Sequence, residues 1–380
     1  MPSANVISPH YTSPHRGEDE GEGGLMKIIV LDDGNRGNLN QALGIAERLP
    51  GAEIETITVR PLSFLRRAIL FLAANLVGIT PLFKIRFLLR HVARVVPAYP
   101  SFKPSAIISA GSRLAPINVL LSRRACAVSI QVLYPNFLRV RIFDLLVLPK
   151  HDLARYPKIA AAQNLMVIKG APNRIKPAGP SNMSFPRIVS GNPIQIAVLI
   201  GGDDKNYLIS EEWAEELSRR LTEISEKLPA QIYLTTSRRT NLKVEDIFRK
   251  FLGGKPERFS LVFYWQDFAN PVAEFLNNAD LIFTTEDSIN MVSEAASSGK
   301  PTVVLRVGRK HQKRLVFDQA FENLVKGDYI NFWLLEDLVS SNVTEAVCNP
   351  NRKILAETEK VTAKVLELLR NQEMTAVLSR

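Results

Sequence analysis

The stretch that decides the fold of this chain is Asn278–Thr302, NADLIFTTEDSINMVSEAASSGKPT. Its apolar run Leu281–Phe283 is typical of a strand, the polar turn Thr284–Ser288 follows, and Gly299 ends the helix-like run that comes next. In an open α/β sheet such a corner lies at the carboxyl ends of the strands, where ligands bind, and the free N–H groups of the helix start favour a phosphate. An ordinary corner with a well-capped helix has the same local pattern, so this stretch alone leaves both interpretations open.

The composition is that of a globular protein with an excess of positive charge. Of the 380 residues, 46% are apolar and 23% are charged, and the formal net charge is +10. Such a chain is attracted to an anionic partner, which could be nucleic acid, a lipid surface or a phosphorylated ligand. Cys126 and Cys348 are too far apart in sequence for a metal-ligand spacing or a disulfide framework, which favours a reducing cytosol.

Strand-like and helix-like runs alternate along the chain after residue 25. This alternation predicts an α/β fold with two Rossmann-like, doubly wound parallel-sheet domains that face a cleft. The segment 171–193 holds five prolines and is predicted to link a first domain, residues 26–170, to a second, residues 194–345. A last helix is predicted within 346–380. Residues 1–25 have no apolar period, and we expect a disordered leader or a mis-assigned start there.

The positive charge is concentrated in the N-terminal half. No Asp or Glu occurs in Thr56–Phe143, a stretch that contains thirteen Lys and Arg residues. Within segment 60–97, the run Ala68–Phe83 is shorter than the ~20 residues of a membrane-spanning helix. The next run, Lys84–Val96, spaces arginines on one face and aliphatic residues on the other, which is typical of a helix that lies in a membrane interface. The cations predicted to face an anionic membrane are Arg66, Arg67, Lys84, Arg86, Arg90 and Arg94.

Two other interpretations compete with a membrane-facing role for this segment. The same pattern fits two core helices with solvated arginines, and that alternative stays open. Nucleic acid is disfavoured as a partner, because aliphatic rather than stacking aromatic side chains lie between the cations and no nucleic-acid-binding motif is present.

Four polar strand exits in the second half are predicted to meet at one edge of the sheet. Their glycines, hydroxyls, arginines and capped helix start suit a nucleotide diphosphate, and their carboxylates suit ribose hydroxyls. The candidate donor-binding residues are Gly201, Gly202, Asp203, Tyr207, Ser237, Arg238, Arg239, Glu286, Asp287, Ser288, Met291 and Glu294.

Several motifs, read in order, resemble one protein family. They include DDGNRGNLNQALGIAERL at Asp32–Leu49, AVLIGGDDKNY at Ala197–Tyr207, TTSRRT at Thr235–Thr240 and TTEDSINMVSEAASSGKP at Thr284–Pro301. The family is the ELM (elongated mitochondria) family of plant mitochondrial fission factors and their bacterial relatives, and the likeness covers roughly residues 27–332. It implies a glycosyltransferase-B-like architecture, in which the C-terminal domain holds a nucleotide sugar, the N-terminal domain holds the acceptor, and the last helix crosses back to the first domain.

The resemblance leads to a specific functional expectation. We expect a metal-independent glycosyltransferase, peripherally bound to the cytoplasmic face of the membrane, that uses a nucleotide sugar and needs no other cofactor. Asp33 is the first candidate for the base that acts on the acceptor hydroxyl, and His151 is the second. The candidate acceptor-side residues are Gly34, Arg36, Gly37, Asn38, Gln41, Gly111 and Arg113.

Two further sequence features bear on this expectation. Glu286 and Glu294 have the eight-residue spacing of the glutamate pair found in retaining transferases of this fold, although that spacing also arises by chance. A nucleotide-sugar epimerase is disfavoured, because neither a G-x-x-G-x-x-G turn nor a Tyr-x-x-x-Lys pair is found. The rival is a non-catalytic, membrane-bound scaffold that keeps the fold.

Overall fold

The computed structural model describes residues 26–93, 103–177, 192–267, 270–348 and 353–378. The predicted leader, Arg94 and most of the predicted linker lie outside these ranges. The predicted fold class is confirmed: the chain forms two α/β units, each built on a six-stranded parallel sheet.

The first sheet has the strand order β2-β1-β3-β4-β5-β6, and every neighbouring pair is parallel. Its strands are β1 (Lys27–Asp32), β2 (Glu53–Thr58), β3 (Ala106–Ala110), β4 (Val128–Val132), β5 (Leu145–Pro149) and β6 (Leu165–Ile168). The helices of this unit are α1 (Arg36–Ala46), α2 (Phe64–Asn75), α3 (Leu82–Phe87), which continues into a π-helical turn at Leu88–Val92, α4 (Ala115–Ala125) and α5 (Lys150–Leu153).

The second sheet has the order β10-β9-β7-β11-β12-β14, again with parallel pairs throughout. Its strands are β7 (Ile194–Leu199), β9 (Ala230–Thr235), β10 (Phe259–Val262), β11 (Leu281–Thr285), β12 (Thr302–Leu305) and β14 (Asn331–Trp333), and a separate antiparallel pair joins β8 (Tyr207–Leu208) to β13 (Gly308–Arg309). The helices are α6 (Glu211–Lys227), α7 (Leu242–Leu252), α8 (Tyr264–Asp267), α9 (Val272–Asn278), α10 (Ile289–Ser297), α11 (Val316–Lys326), α12 (Ser340–Cys348) and α13 (Glu357–Leu378).

The central strands are apolar on both faces because helices cover both sides of each sheet. All six residues of β7 and all five of β11 are buried. The strand order reverses between β1 and β3 in the first sheet and between β7 and β11 in the second. In doubly wound sheets, the carboxyl ends of the strands at such a reversal form the ligand-binding crevice.

The last helix, α13, packs on the first sheet although it follows the second in sequence. Val361, Val365 and Leu369 are buried in the same apolar cluster as Ile28 and Val30 of β1. The Arg48 Nε of the first unit lies 2.7 Å from the Glu359 carboxylate of α13. The Arg48 side chain is almost fully buried and Glu359 is partly exposed, so this ion pair adds to the burial of the apolar side chains that holds α13 on the first sheet.

The start of the predicted linker is packed between the two units. The Ala171 N–H donates to Ser293 Oγ of α10 at 2.9 Å, and Asn173 Nδ2 donates to Ser297 Oγ at 3.0 Å. A Cβ atom on Gly44 of α1 would lie 2.3 Å from the Asn173 carbonyl oxygen, so only glycine permits this approach. The polar groups of this segment therefore bond to both units.

The membrane-facing helix predicted at Lys84–Val96 needs correction in its described part. Its apolar side chains Ile85 and Leu89 are fully buried in the core of the first unit, where α3 and the π turn pack against α4. The arginines Arg86 and Arg90 are exposed, as an amphipathic pattern requires. The periodicity identified the two faces correctly, but it does not reveal whether protein or lipid covers the apolar one.

A different apolar surface is exposed beside it, which we call the α2–α3 surface. Its exposed members are Phe64, Leu65, Ile69, Leu72, Leu76, Ile79, Leu82, Phe83 and Phe87. Ile79 and Phe64 are each 80% exposed, and Phe83 is 70% exposed. Contiguous exposed apolar patches of this kind mark interaction sites. In the described ranges, no helix combines the length and hydropathy that a bilayer crossing requires.

Candidate functional site

Two cavities lie side by side between the two units. The smaller, about 320 Å³, is named here the Ser288 cavity, and the larger, about 760 Å³, is named the His151 cavity. Asn35, at the N-terminus of α1, and Asn290, in the first turn of α10, line both cavities. The Gln41 side chain donates to Asn290 Oδ1 at 3.3 Å across the interface. Asn35 and Asn290 therefore mark the boundary at which ligands in the two cavities would meet.

Half of the predicted donor-binding residues line the Ser288 cavity. They are Ser237, Arg238, Arg239, Ser288, Met291 and Glu294. Ser288 caps α10 with an extended backbone, and its Oγ accepts from the Met291 N–H at 3.4 Å. Serine is favoured there because its oxygen satisfies a helical N–H that has no partner within the helix. The partial positive charge of this helix start faces the cavity together with Arg238.

Glu294, on the second turn of α10, is the most electrostatically perturbed group in the Ser288 cavity. Its side chain keeps some solvent contact at its rim, but the surrounding protein excludes most water from the carboxyl. This burial raises the pKa of Glu294 to about 7, and a hydrogen bond with the Asn40 side chain of α1 opposes the shift. Near neutral pH the group therefore exists in both protonation states, and a carboxyl of that kind is typical of functional sites.

The other six donor-binding candidates do not line the cavity, and four of them, Gly201, Gly202, Asp203 and Asp287, form the wall behind it. Asp287 is buried, and its Oδ2 accepts from the Gly202 N–H at 2.9 Å and from Arg239 Nη2 at 2.5 Å. Its Oδ1 accepts from the Thr285 hydroxyl at 2.6 Å. Burial raises the pKa of Asp287, and Arg239 is the main opposing influence. This carboxylate joins the ends of β7, β9 and β11 and leaves no oxygen for a ligand.

The two glycines of this wall allow close packing of protein against protein. A Cβ on Gly201 would lie 2.1 Å from Asp287 Oδ2, and a Cβ on Gly202 would lie 2.1 Å from the Arg239 carbonyl carbon. Asp203 Oδ1 accepts from the Ile209 N–H at 2.8 Å and closes its own turn. We expected these residues to touch a phosphate, whereas the structure uses them to position the residues that line the cavity.

Glu286 and Tyr207 lie further from the cavity and are fully buried. Glu286 Oε1 accepts from the Val307 N–H at 3.0 Å, and Oε2 accepts from Arg309 Nη2 at 2.7 Å. Burial raises the pKa of Tyr207, which has no hydrogen-bond partner for its hydroxyl among the described residues. Of the two glutamates with the eight-residue spacing, only Glu294 therefore lines the Ser288 cavity.

The acceptor-side candidates do not share one cavity: six of them line three different cavities, and Gly111 lines none of these three. Gly34, Arg36 and Gly37 line the Ser288 cavity, whereas Asn38 and Gln41 line the His151 cavity. The remaining two, Gly111 and Arg113, follow β3. Gly111 has a φ of +85°, and a Cβ there would lie 2.6 Å from Asn38 Nδ2. Glycine at this position therefore allows the Asn38 amide to approach the turn after β3.

The two candidate bases do not share a cavity. His151, on α5, lines the His151 cavity, is 4% exposed, and has no hydrogen-bond partner at Nδ1 among the described residues. Burial lowers its pKa, with Asp152 opposing, so the ring is neutral at pH 7. Asp33 instead lines a third cavity of about 230 Å³, named here the Asp33 cavity, together with Arg60, Arg67 and Arg113.

Sequence reasoning missed several residues of the His151 cavity. Its lining includes the cations Arg155, Lys205, Lys313 and Arg314, and also His311. The basic segment Arg306–Arg314, which follows β12, is the sequence signal that points to three of these residues. Asn290 was also missed, although its place two residues after the Ser288 cap was a usable signal. In the described ranges, no group of three or more His, Cys, Asp or Glu side chains is arranged to hold a metal ion.

A family model for "Mitochondrial fission ELM1" matches residues 36–369. The chain belongs to this family. Among ELM1-family relatives, an uncharacterized Rickettsia prowazekii protein is 29% identical over 313 residues, which are 73% of this chain and 83% of that one. The Arabidopsis thaliana mitochondrial fission protein ELM1 is 26% identical over 262 residues, which are 62% of this chain and 56% of that protein. The chain thus matches little more than half of the plant protein.

Solved structures identify the fold that this ELM1-family chain shares. UDP-GlcNAc 2-epimerase from Methanocaldococcus jannaschii aligns with 91% of this chain and 100% of its own, with a TM-score of 0.52 and 15% identity. At that identity the likeness shows the fold alone. The two-domain glycosyltransferase-B-like architecture expected from the sequence is therefore confirmed.

Proposed function

We propose that this ELM1-family protein binds a nucleotide sugar in the Ser288 cavity and transfers the sugar to an acceptor in the His151 cavity. The observation that carries the proposal is the lining of the Ser288 cavity. A capped helix start, the arginine side chain of Arg238 and the carboxyl of Glu294 face one space between the two domains. The helix start and Arg238 match a diphosphate, and the carboxyl of Glu294 matches a ribose diol.

The sizes and the shared boundary of the cavities support the assignment. Ligand sites have volumes of about 300–1,000 Å³, a range that includes both cavities. Because Asn35 and Asn290 line both, a donor whose diphosphate lies at the start of α10 would carry its sugar to the boundary. The basic lining of the His151 cavity would favour an anionic acceptor.

The chemistry of the proposed transfer needs a base on the acceptor side. The acceptor oxygen would bond to the anomeric carbon as the bond from that carbon to the diphosphate breaks, and the hydroxyl proton would pass to a base. His151 suits this role better than Asp33, because it lines the cavity proposed for the acceptor, whereas Asp33 lines another, and because its lowered pKa leaves the ring neutral at pH 7. Arg238 and the N–H groups of α10 would stabilise the departing nucleoside diphosphate.

A peripheral membrane location is part of the proposal. The α2–α3 surface combines exposed apolar side chains with the exposed cations Arg67, Lys84, Arg86 and Arg90. Apolar burial and attraction to anionic lipid headgroups act together in interfacial binding. The surface would dock on the cytoplasmic face of a membrane that carries the acceptor.

Nucleotide-sugar binding is the first test. Thermal shift with UDP-, GDP-, ADP- and CMP-sugars should identify one stabilising class, and calorimetry should then give its affinity. Ser288→Ala and Glu294→Gln should each weaken that affinity by about tenfold, the value of one charge-assisted hydrogen bond. The exposed Glu274→Gln on α9 is the matched control and should leave it unchanged. If no sugar nucleotide stabilises the protein, the non-catalytic scaffold is the better interpretation.

The pH dependence of that affinity tests the role of Glu294 directly. If the ionised carboxylate binds the ribose hydroxyls, a pKa of about 7 predicts that affinity rises about tenfold from pH 6 to pH 8. Glu294→Gln should bind with an affinity that does not change over this range. A wild-type affinity equal at both pH values would exclude ribose binding by the ionised Glu294.

A further inference from the structure

The Asp33 cavity lies outside the contact between the two domains, at the carboxyl ends of β1, β2 and β3. Every residue that lines it belongs to the N-terminal domain. Asp33 follows β1, Arg60 follows β2, Arg113 follows β3, and Arg67 comes from α2. Four segments of chain therefore bring three guanidinium groups to one cavity at the point where the strand order reverses.

The charge of this cavity is not neutralised by the protein. Within the described ranges, Arg60, Arg67 and Arg113 form no ion pair with any carboxylate, and Asp33 is the acidic residue of the lining. Asp33 itself accepts from the Asn35 N–H at 3.1 Å. Three arginines and one aspartate leave a local surplus of two positive charges. Arginine presents its donors in a planar fork that matches phosphate oxygens.

The position of the cavity indicates how a ligand would reach it. Arg67 lies on α2 one turn after Phe64, which is 80% exposed, so the two side chains are neighbours on the helix surface. The arginine cluster therefore borders the apolar α2–α3 surface. A phosphate with an attached acyl or prenyl chain could bind its anion in the cavity and lay its chain on this surface, which a free phosphate could not do.

We propose that the Asp33 cavity binds the phosphate group of a membrane lipid. The site rests on the cavity and its charges, whereas the use of that lipid as the acceptor, or as its carrier, rests on the proposed function. Solvated surface arginines are the alternative, and they would bind anionic membranes without regard to which arginine is removed.

Vesicle sedimentation with matched variants separates these two cases. The probe is a phosphatidylcholine vesicle that contains phosphatidic acid. Arg67→Gln and Arg113→Gln should each weaken binding about tenfold, because each removes a charge-assisted contact to phosphate. The controls are Arg123→Gln on α4 and Arg141→Gln, two exposed arginines of the same domain, neither of which lines the cavity. The controls should change binding by less than about twofold, in line with a diffuse surface charge.

An opposite-sign variant and a soluble probe complete the test. Asp33→Asn should tighten vesicle binding, because it removes the negative charge beside the anion. Inorganic phosphate, titrated in calorimetry without vesicles, should bind at least tenfold more weakly than the lipid phosphate. Equal losses in all four arginine variants, or weaker binding by Asp33→Asn, would overturn the site. Equal affinity for inorganic phosphate would overturn its assignment to a lipid. Loss of sugar-nucleotide binding is measured separately and does not affect this outcome.

Discussion

Glu294→Gln gives the sharpest test of the electrostatics of the cleft, because it removes a charge and leaves the shape. The native carboxyl has a pKa of about 7 in place of the ordinary 4.5. A carboxyl whose pKa is raised by folding destabilises the folded state when it ionises. That cost is absent below the unfolded pKa, grows between pH 4.5 and pH 7, and is constant above pH 7. Its full size is about 3 kcal/mol at 1.36 kcal/mol per pKa unit.

The expected result is a pH-dependent gain in stability. Between pH 5 and pH 8, ionisation of Glu294 should lower the unfolding free energy of the native protein by about 2.5 kcal/mol. The variant has no such group, so its unfolding free energy minus that of the native protein should grow by the same amount. Glutamine still accepts the hydrogen bond from Asn40, which keeps the packing comparable. The matched control is Glu274→Gln, an exposed carboxyl of the same domain, and it should show a difference below about 0.5 kcal/mol.

Tryptophan fluorescence during urea unfolding provides the assay. All three tryptophans, Trp213, Trp265 and Trp333, belong to the C-terminal domain, so the transition reports on the domain that contains Glu294. This avoids treating a two-domain chain as one cooperative unit. A stability difference between variant and native protein that is the same at pH 5 and pH 8 would refute the raised pKa, and with it the picture of a desolvated carboxyl in the cleft.

Two further predictions concern packing and the exposed apolar surface. Gly202→Ala should destabilise the C-terminal domain by about 2–4 kcal/mol, because the new Cβ would meet the Arg239 backbone, whereas Gly254→Ala, with open space around it, should stay within about 1 kcal/mol by urea unfolding. Phe83→Glu should reduce sedimentation with anionic vesicles at least fivefold and leave the melting temperature unchanged, because it removes an apolar contact and adds repulsion. Phe251→Glu, on an exposed apolar residue of the C-terminal domain, is its control; equal losses in both would contradict docking through the α2–α3 surface.

The sequence was sufficient for the fold because buried parallel strands are apolar on both faces. Apolar runs such as Leu281–Thr285 are predicted as strands for this reason, and the Gly and Ser residues that follow such runs indicate where each strand ends. Ser288, Met291 and Glu294 were also predictable, since positions i, i+3 and i+6 of one helix follow each other along nearly one side. Helical spacing thus found the part of the site that lies on a helix.

The rest of the site depends on the direction in which each side chain points, which the local sequence does not determine. Glu286 and Asp287 are adjacent to Ser288, yet both carboxylates turn inwards to Arg309 and Arg239. Residues at a strand exit can point either way, and long-range partners decide between them. The same limit applies to α3, whose apolar face was recognised but whose covering by α4 was not.

The absence of two sequence motifs does not exclude an epimerase of this fold. The G-x-x-G-x-x-G turn and the Tyr-x-x-x-Lys pair are features of another architecture, whereas the M. jannaschii UDP-GlcNAc 2-epimerase shares the two-domain fold of this chain. The architecture therefore does not separate transfer from epimerisation. Incubation with the stabilising sugar nucleotide alone, without an acceptor, would separate them: a new sugar nucleotide would identify an epimerase, and an unchanged one is expected for a transferase.

The helix that crosses back has a consequence for how the protein is made. During synthesis the N-terminal sheet leaves the ribosome first, but its apolar residues Ile28 and Val30 belong to a cluster that Val361 and Val365 complete more than 300 residues later. Until α13 emerges, the part of that face that α1 leaves uncovered is exposed and is a site for chaperone binding or aggregation. The first domain to be synthesised is therefore the last to be finished, and its maturation is tied to translation of the whole chain.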